Sequence, residues 1–117
     1  MIKLQNAKGE INISEAVFAN ITGNAATNCF GVKGMAFRSM TDGLVHLLRK
    51  EAMSKGVHVT VNEDNSVTID LHIMVDNGVN LNAVGASIIS EVRYVITKTT
   101  GTQVRDVNVY IDSMVIG

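Results

Sequence analysis

Apolar residues alternate strictly at Val57, Val59 and Val61 and again at Val67, Ile69, Leu71, Ile73 and Val75, the period of half-buried strands. Between the runs lies Asn62-Glu63-Asp64-Asn65-Ser66, a polar stretch with hairpin-turn composition. If the apolar faces match with Val61 opposite Ile69 and Val59 opposite Leu71, the other face pairs Asn62 with Thr68, Thr60 with Asp70, and His58 with His72. After a turn at Asp76-Asn77-Gly78, Asn80 caps a long helix whose Leu81, Val84, Ile88, Val92 and Val95 form one stripe and which Gly101 ends. Val107, Val109 and Ile111 then alternate as a last strand, with Asn108, Tyr110 and Asp112 on its polar side.

Upstream the pattern is weaker. Glu10–Ile13 reads as a short strand ending at Ser14, which caps a helix with Val17, Ile21, Ala25, Cys29 and Phe18 on its apolar face. Phe30–Phe37, with Gly31 and Gly34, reads as a short bent strand or loop. Leu44, Leu47 and Leu48 at i, i+3 and i+4 behind Thr41 or Asp42 predict a short helix ending near Lys55-Gly56.

A sheet that alternates in this way is covered on one side only, so both longer helices pack together on its apolar face. The expected fold is α+β: a two-layer sandwich with a mixed, mostly antiparallel sheet, two longer helices on one face and a short extra helix. Residues 1–8 are expected to be a flexible lead-in, and residues 9–117 one domain. The open face would present His58, Thr60, Asp70, His72, Asn108 and Tyr110 as an interaction surface.

Composition narrows the function. The 117 residues carry ten Lys plus Arg against eleven Asp plus Glu, and aromatics are 4% with no Trp, so charge and stacking give no support to nucleic-acid binding. One cysteine forms no internal disulfide, and neither a signal peptide nor an apolar transmembrane stretch is visible, so a cytoplasmic location is expected.

Candidate chemistry is sparse. His58, Asp70 and His72 are the nearest approach to a metal-ligand set, but two histidines on an exposed alternating face need no metal to explain them, and no cofactor is expected. Cys29 lies on an apolar helix face, where a small thiol is ordinary, and His46 has no identifiable catalytic partner. Gly31-Val32-Lys33-Gly34 matches neither phosphate-binding glycine pattern, and its glycines read as turns.

The order of signals is nevertheless informative. It runs from Gly9-Glu10-Ile11-Asn12-Ile13-Ser14 through Gly31-Val32-Lys33-Gly34-Met35 and Lys55-Gly56-Val57-His58-Val59. It continues with Val75-Asp76-Asn77-Gly78-Val79-Asn80-Leu81 and with Thr100-Gly101 leading to Val107-Asn108-Val109. This order resembles the alkaline shock protein family of Gram-positive bacteria from Gly9 to about Ile116, with Asn77 where an aromatic residue is expected. The resemblance implies a non-enzymatic envelope-stress or general-stress protein with no catalytic residues to carry over. It further implies protein contacts near the inner membrane face, with a membrane-anchored protein or a lipid-synthesis enzyme as partner. An exposed strand edge also makes a homo-oligomer plausible. The competing reading is a regulatory domain that binds a metal or small molecule through His58, Asp70 and His72.

Overall fold

The computed structural model describes residues 1–38 and 43–115. Strands β1 (Ile2–Asn6) and β2 (Gly9–Ile13) form an antiparallel hairpin that is a small sheet of its own. The lead-in expected to be loose therefore carries a strand. Its register sets Ile2 across from Ile13 and Leu4 across from Ile11, and Ile2 is fully buried. These apolar cross-strand pairs outweigh the polar residues between them, which masked the alternation.

Helix α1 (Glu15–Thr27) starts after Ser14 as expected, but the Ser14 side chain makes no capping bond. Its buried face is Phe18, Thr22, Ala25 and Ala26 with Ala19 and Gly23, whereas Val17, expected inside, is exposed. Apolar or small residues flank both sides of the line through Val17 and Ile21, so spacing alone admitted two stripes. The stripe with the small residues won because it permits close packing: a Cβ on Gly23 would lie 3.0 Å from Met53 Cγ.

β3 (Val32–Arg38) is a strand with a bulge between Val32 and Gly34, in keeping with the bent strand expected there. The helix expected across residues 44–55 does not form. Val45–Leu47 is instead strand β4, paired antiparallel with β3, and a 3₁₀ helix spans Lys50–Gly56. Three leucines cover little more than one helical turn, too few to nucleate a helix against strand pairing with β3. The caps proposed at Thr41 and Asp42 lie outside the described residues.

β5 (Val57–Val61) and β6 (Val67–Val75) form the expected hairpin, two residues out of the expected register. Val61 pairs with Val67, Val59 with Ile69, and His58 with Asp70 rather than His72. The turn is tighter than assumed: Asn65 N–H donates to the Asn62 carbonyl at 3.0 Å, and Asn65 takes a left-handed φ of 69° that its short polar side chain tolerates. A slip of two keeps every side chain on its face, so the polar and apolar sides stand as read.

Helix α2 (Leu81–Thr100) is capped by Asn80, whose Oδ1 accepts from the Ala83 N–H at 3.0 Å, and it ends at Gly101 with φ 74°. Val84, Ile88, Val92, Ile96 and Thr100 are buried; Leu81 is exposed, and Ile96 holds the core position expected for Val95. β7 (Val104–Met114) then runs parallel to β6. β6 is thus central, with β7 along one side and β5 and β3 sharing the other, and β4 lies outside β3. Val67, Ile69, Leu71, Ile73 and Val75 of β6 are all fully buried in one cluster with Phe18 of α1 and with Ile88, Val92 and Ile96 of α2. The result is the two-layer α+β sandwich, helices on one side of a mixed sheet.

Candidate functional site: the open face of the sheet

The alternate residues of β6, Thr68, Asp70, His72 and Met74, point away from the helices and are only half-buried. Pairing with β5 brings His58 beside Asp70 and Thr60 beside Thr68, and pairing with β7 brings Asn108 beside Asp70 and Tyr110 beside His72. All six residues expected on the interaction surface therefore share one face. The histidine pair does not form as a cross-strand pair, because the hairpin register places His58 opposite the carboxylate.

Side chains on this face are tied across the parallel β6–β7 pair. Asn108 Nδ2 donates to Asp70 Oδ1 at 2.8 Å, and His72 Nδ1 lies 3.0 Å from Asp112 Oδ2. The His72 ring stacks on Tyr110 with centroids 4.8 Å apart and planes 15° from parallel. Engaging Nδ1 with a carboxylate orients the imidazole and leaves Nε2 as its other polar atom. Asp112 was expected on the polar side of the last strand but not counted in the interaction surface; its contact with His72 depends on the parallel register, invisible in local pattern.

Beside His72 a groove of about 410 Å³ is lined by Phe37, Lys55, His58 and Asp112 among others. Lys55 and Phe37 were likewise not expected here. They come from the end of the 3₁₀ helix and from β3, elements whose placement depends on the tertiary fold. Among the described residues, no group of three His, Cys, Asp or Glu side chains gathers as a metal site would require.

The other candidates find structural explanations. Cys29 is half-buried, and burial pushes its thiol above the ordinary range, the opposite of an activated nucleophile; the Ser87 hydroxyl pulls it down less, and Glu91 adds a smaller upward push. Gly31 has φ 87°, and a Cβ there would lie 3.0 Å from Val84 Cγ2. At Gly34 a Cβ would meet Leu47 Cδ1 at 2.8 Å. Gly31 is thus required by its left-handed backbone and close neighbours, whereas at Gly34 the crowding is with the movable end of Leu47. His46 sits on β4 opposite Phe37, which lines the groove beside His72.

No helix among the described residues is long and apolar enough to cross a membrane. No solved structure matches the chain significantly. Among curated sequences, the Bacillus subtilis "Uncharacterized protein YloU" is 37% identical over 114 residues, 97% of this chain and 94% of that protein. The Streptococcus pyogenes "Uncharacterized protein Spy1614" is 33% identical over 114 residues, 97% of this chain and 93% of its own. "Uncharacterized protein YqhY" of Bacillus subtilis is 31% identical over 103 residues, 88% of this chain and 75% of that protein. Residues 3–116 match the alkaline shock protein 23 family, described by its cell envelope-related function, and the chain belongs to that family.

Proposed function

We propose that this chain acts in cell-envelope homeostasis as a non-enzymatic contact protein that presents the open face of its sheet to a protein partner. The observation that carries this reading is the order on that face: Asp70, His72, Asn108, Tyr110 and Asp112 are held by mutual contacts on a surface that no element of the chain covers among the described residues. Side chains already fixed lose little entropy when a partner binds, which favours a preformed contact surface over one that must order itself. Tyr110 remains 48% exposed and supplies the amphipathic anchor typical of protein interfaces. The partner class that fits the family's envelope role is a membrane-anchored protein or an enzyme of lipid synthesis, met at the inner membrane face by a cytoplasmic protein.

The test is capture from native cells, with soluble and membrane fractions kept apart, using the wild type and the Tyr110→Glu and His72→Glu variants. A specific partner held by the wild type and lost by both variants, with their circular dichroism unchanged, supports the proposal. Retention of every contact by both variants refutes the assignment of this face.

A second reading, a regulatory domain that takes a small ligand or metal through His58, Asp70 and His72, has in its favour the 410 Å³ groove that His58 and His72 line; Asp112 rather than Asp70 stands on its wall. Metal and small-molecule analysis of untagged protein separates the two. A stoichiometric ligand lost on His72→Ala selects the second reading, and ligand-free protein that still captures its partner selects the first.

A further inference from the structure

The outer edge of β7 is open, and what lies along it points to one occupant. Among the described residues β7 has β6 as its one strand partner, so alternate N–H and C=O groups on its other side lack a strand partner. The chain covers the start of this edge itself. Arg93 of α2 donates to the Val104 carbonyl and, at 3.4 Å, to the Arg105 carbonyl. The pairing with β6 is regular only between two irregularities, where Arg105 and Asp112 are the extra residues, so charge and distortion bracket the segment from Asp106 to Ile111.

Within those brackets no strand among the described residues covers the outer backbone. On the polar face Asn108 bonds back to Asp70 and Tyr110 lies over His72, so both side chains lean inward across β6. On the helical face a groove of about 500 Å³ separates Val107–Ile111 from Leu81, Gly85, Ala86 and Ile89 of α2, and none of its ten lining residues is Asp, Glu, Lys, Arg or His. A two-fold interface brings each patch against its own image, so a charged patch would face its own charge whereas a neutral one meets no repulsion.

We propose that a second copy of this chain occupies the edge, with β7 pairing antiparallel to β7 about a two-fold axis at Asn108. That register sets Val107 opposite Val109 and Asp106 opposite Tyr110 of the other copy, so no like charges are opposed. Moving the axis to Val109 would instead set Asp106 against Asp112, like charges directly opposed. The same symmetry lays the two α2 helices antiparallel across the groove. Leu81 and Ile89, one turn on either side of Gly85, then meet in reverse order over the small residues between them. About ten residues per copy take part, below the roughly 20–30 a side of a standard stable interface, so the dimer is weak and concentration-dependent. The association uses the edge, not the open face, and stands or falls separately from the contact function proposed above.

Analytical ultracentrifugation of the intact chain from about 1 to 500 μM tests this, spanning the affinities open to so small an interface. The wild type is expected to shift from monomer to dimer over that range. Ala86→Glu alters an exposed helix position and is expected to weaken association at least tenfold, roughly, with an unchanged melting temperature. In a Cys29→Ser background, Asn108→Cys is expected to form a covalent dimer under mild oxidation much faster than a control cysteine at exposed Thr97. A wild type that stays monomeric throughout overturns the proposal and leaves the edge to a strand from another protein. So does an Ala86→Glu variant that dimerises as well as the wild type, or an Asn108→Cys that cross-links no faster than the control.

Discussion

Removing either member of the His72–Asp112 pair should have unequal consequences, and the inequality follows from exposure. His72 is 41% exposed at the side chain and Asp112 17%. In Asp112→Ala the imidazole nitrogen is left at a site that water reaches, so the loss is close to that of a partly exposed polar contact, about 0.5–1 kcal/mol. In His72→Ala the less exposed carboxylate loses its partner and Tyr110 loses its stacked ring, a contact worth about 0.5–1.5 kcal/mol in its own right. The expected total is about 1–2 kcal/mol, a fall in melting temperature of about 4–8 °C for a chain this long. A double-mutant cycle by urea denaturation at neutral pH should return a coupling of about 0.5–1 kcal/mol. No measurable coupling would mean that the pair does not exist in solution. A cost above about 3 kcal/mol for Asp112→Ala would mean that the pair is buried, and the open face with it.

Two glycines should respond in opposite directions. Gly31→Ala forces a left-handed residue against Val84 and Val79 and should cost about 1–3 kcal/mol, whereas Gly85→Ala adds a Cβ that meets nothing within 4 Å in a helix interior and should gain about 0.5–1 kcal/mol by thermal denaturation. Asp64 accepts from the Ser66 hydroxyl and amide, which holds its carboxyl below the ordinary range, so its contribution is complete above the unfolded value near 4 and is lost as pH falls through the lower folded value. The stability difference between wild type and Asp64→Asn should accordingly be constant at neutral pH and shrink in acid; a difference that grows in acid would reverse the assignment. Alkylation of Cys29 in the native protein at pH 8 should be slower than that of a free thiol and should recover on unfolding, since burial raises its pKa.

What was legible in the sequence was whatever carried its own period together with its own boundary signals. The β5–β6 hairpin has two alternating runs and a polar turn, and α2 has a stripe, an Asn cap and a terminal Gly; each formed within a residue or two of the expectation. The face assignment survived even the register error, because a slip of two leaves side chains on the same side. Elements decided by distant partners were not legible. β4 exists because β3 offers its edge to Val45–Leu47, and β1 because Ile2 and Leu4 find Ile13 and Ile11. The site shows the same division. Its six expected residues follow from alternation alone, but the ties among His72, Tyr110 and Asp112 depend on β7 running parallel to β6, which the crossover through α2 sets and no local spacing reveals.

The most direct test of the contact function is hydroxyl-radical labelling of the chain inside cells and in purified form at matched concentration, in the Ala86→Glu background so that self-association at the β7 edge does not contribute. Tyr110 and His72 are expected to be modified several-fold less in cells than in purified protein, while Tyr94, 58% exposed on α2, reacts equally in both. Equal labelling of Tyr110 in the two settings, or protection of Tyr94 instead, would contradict the claim that the open face of the sheet is where this protein meets its partner.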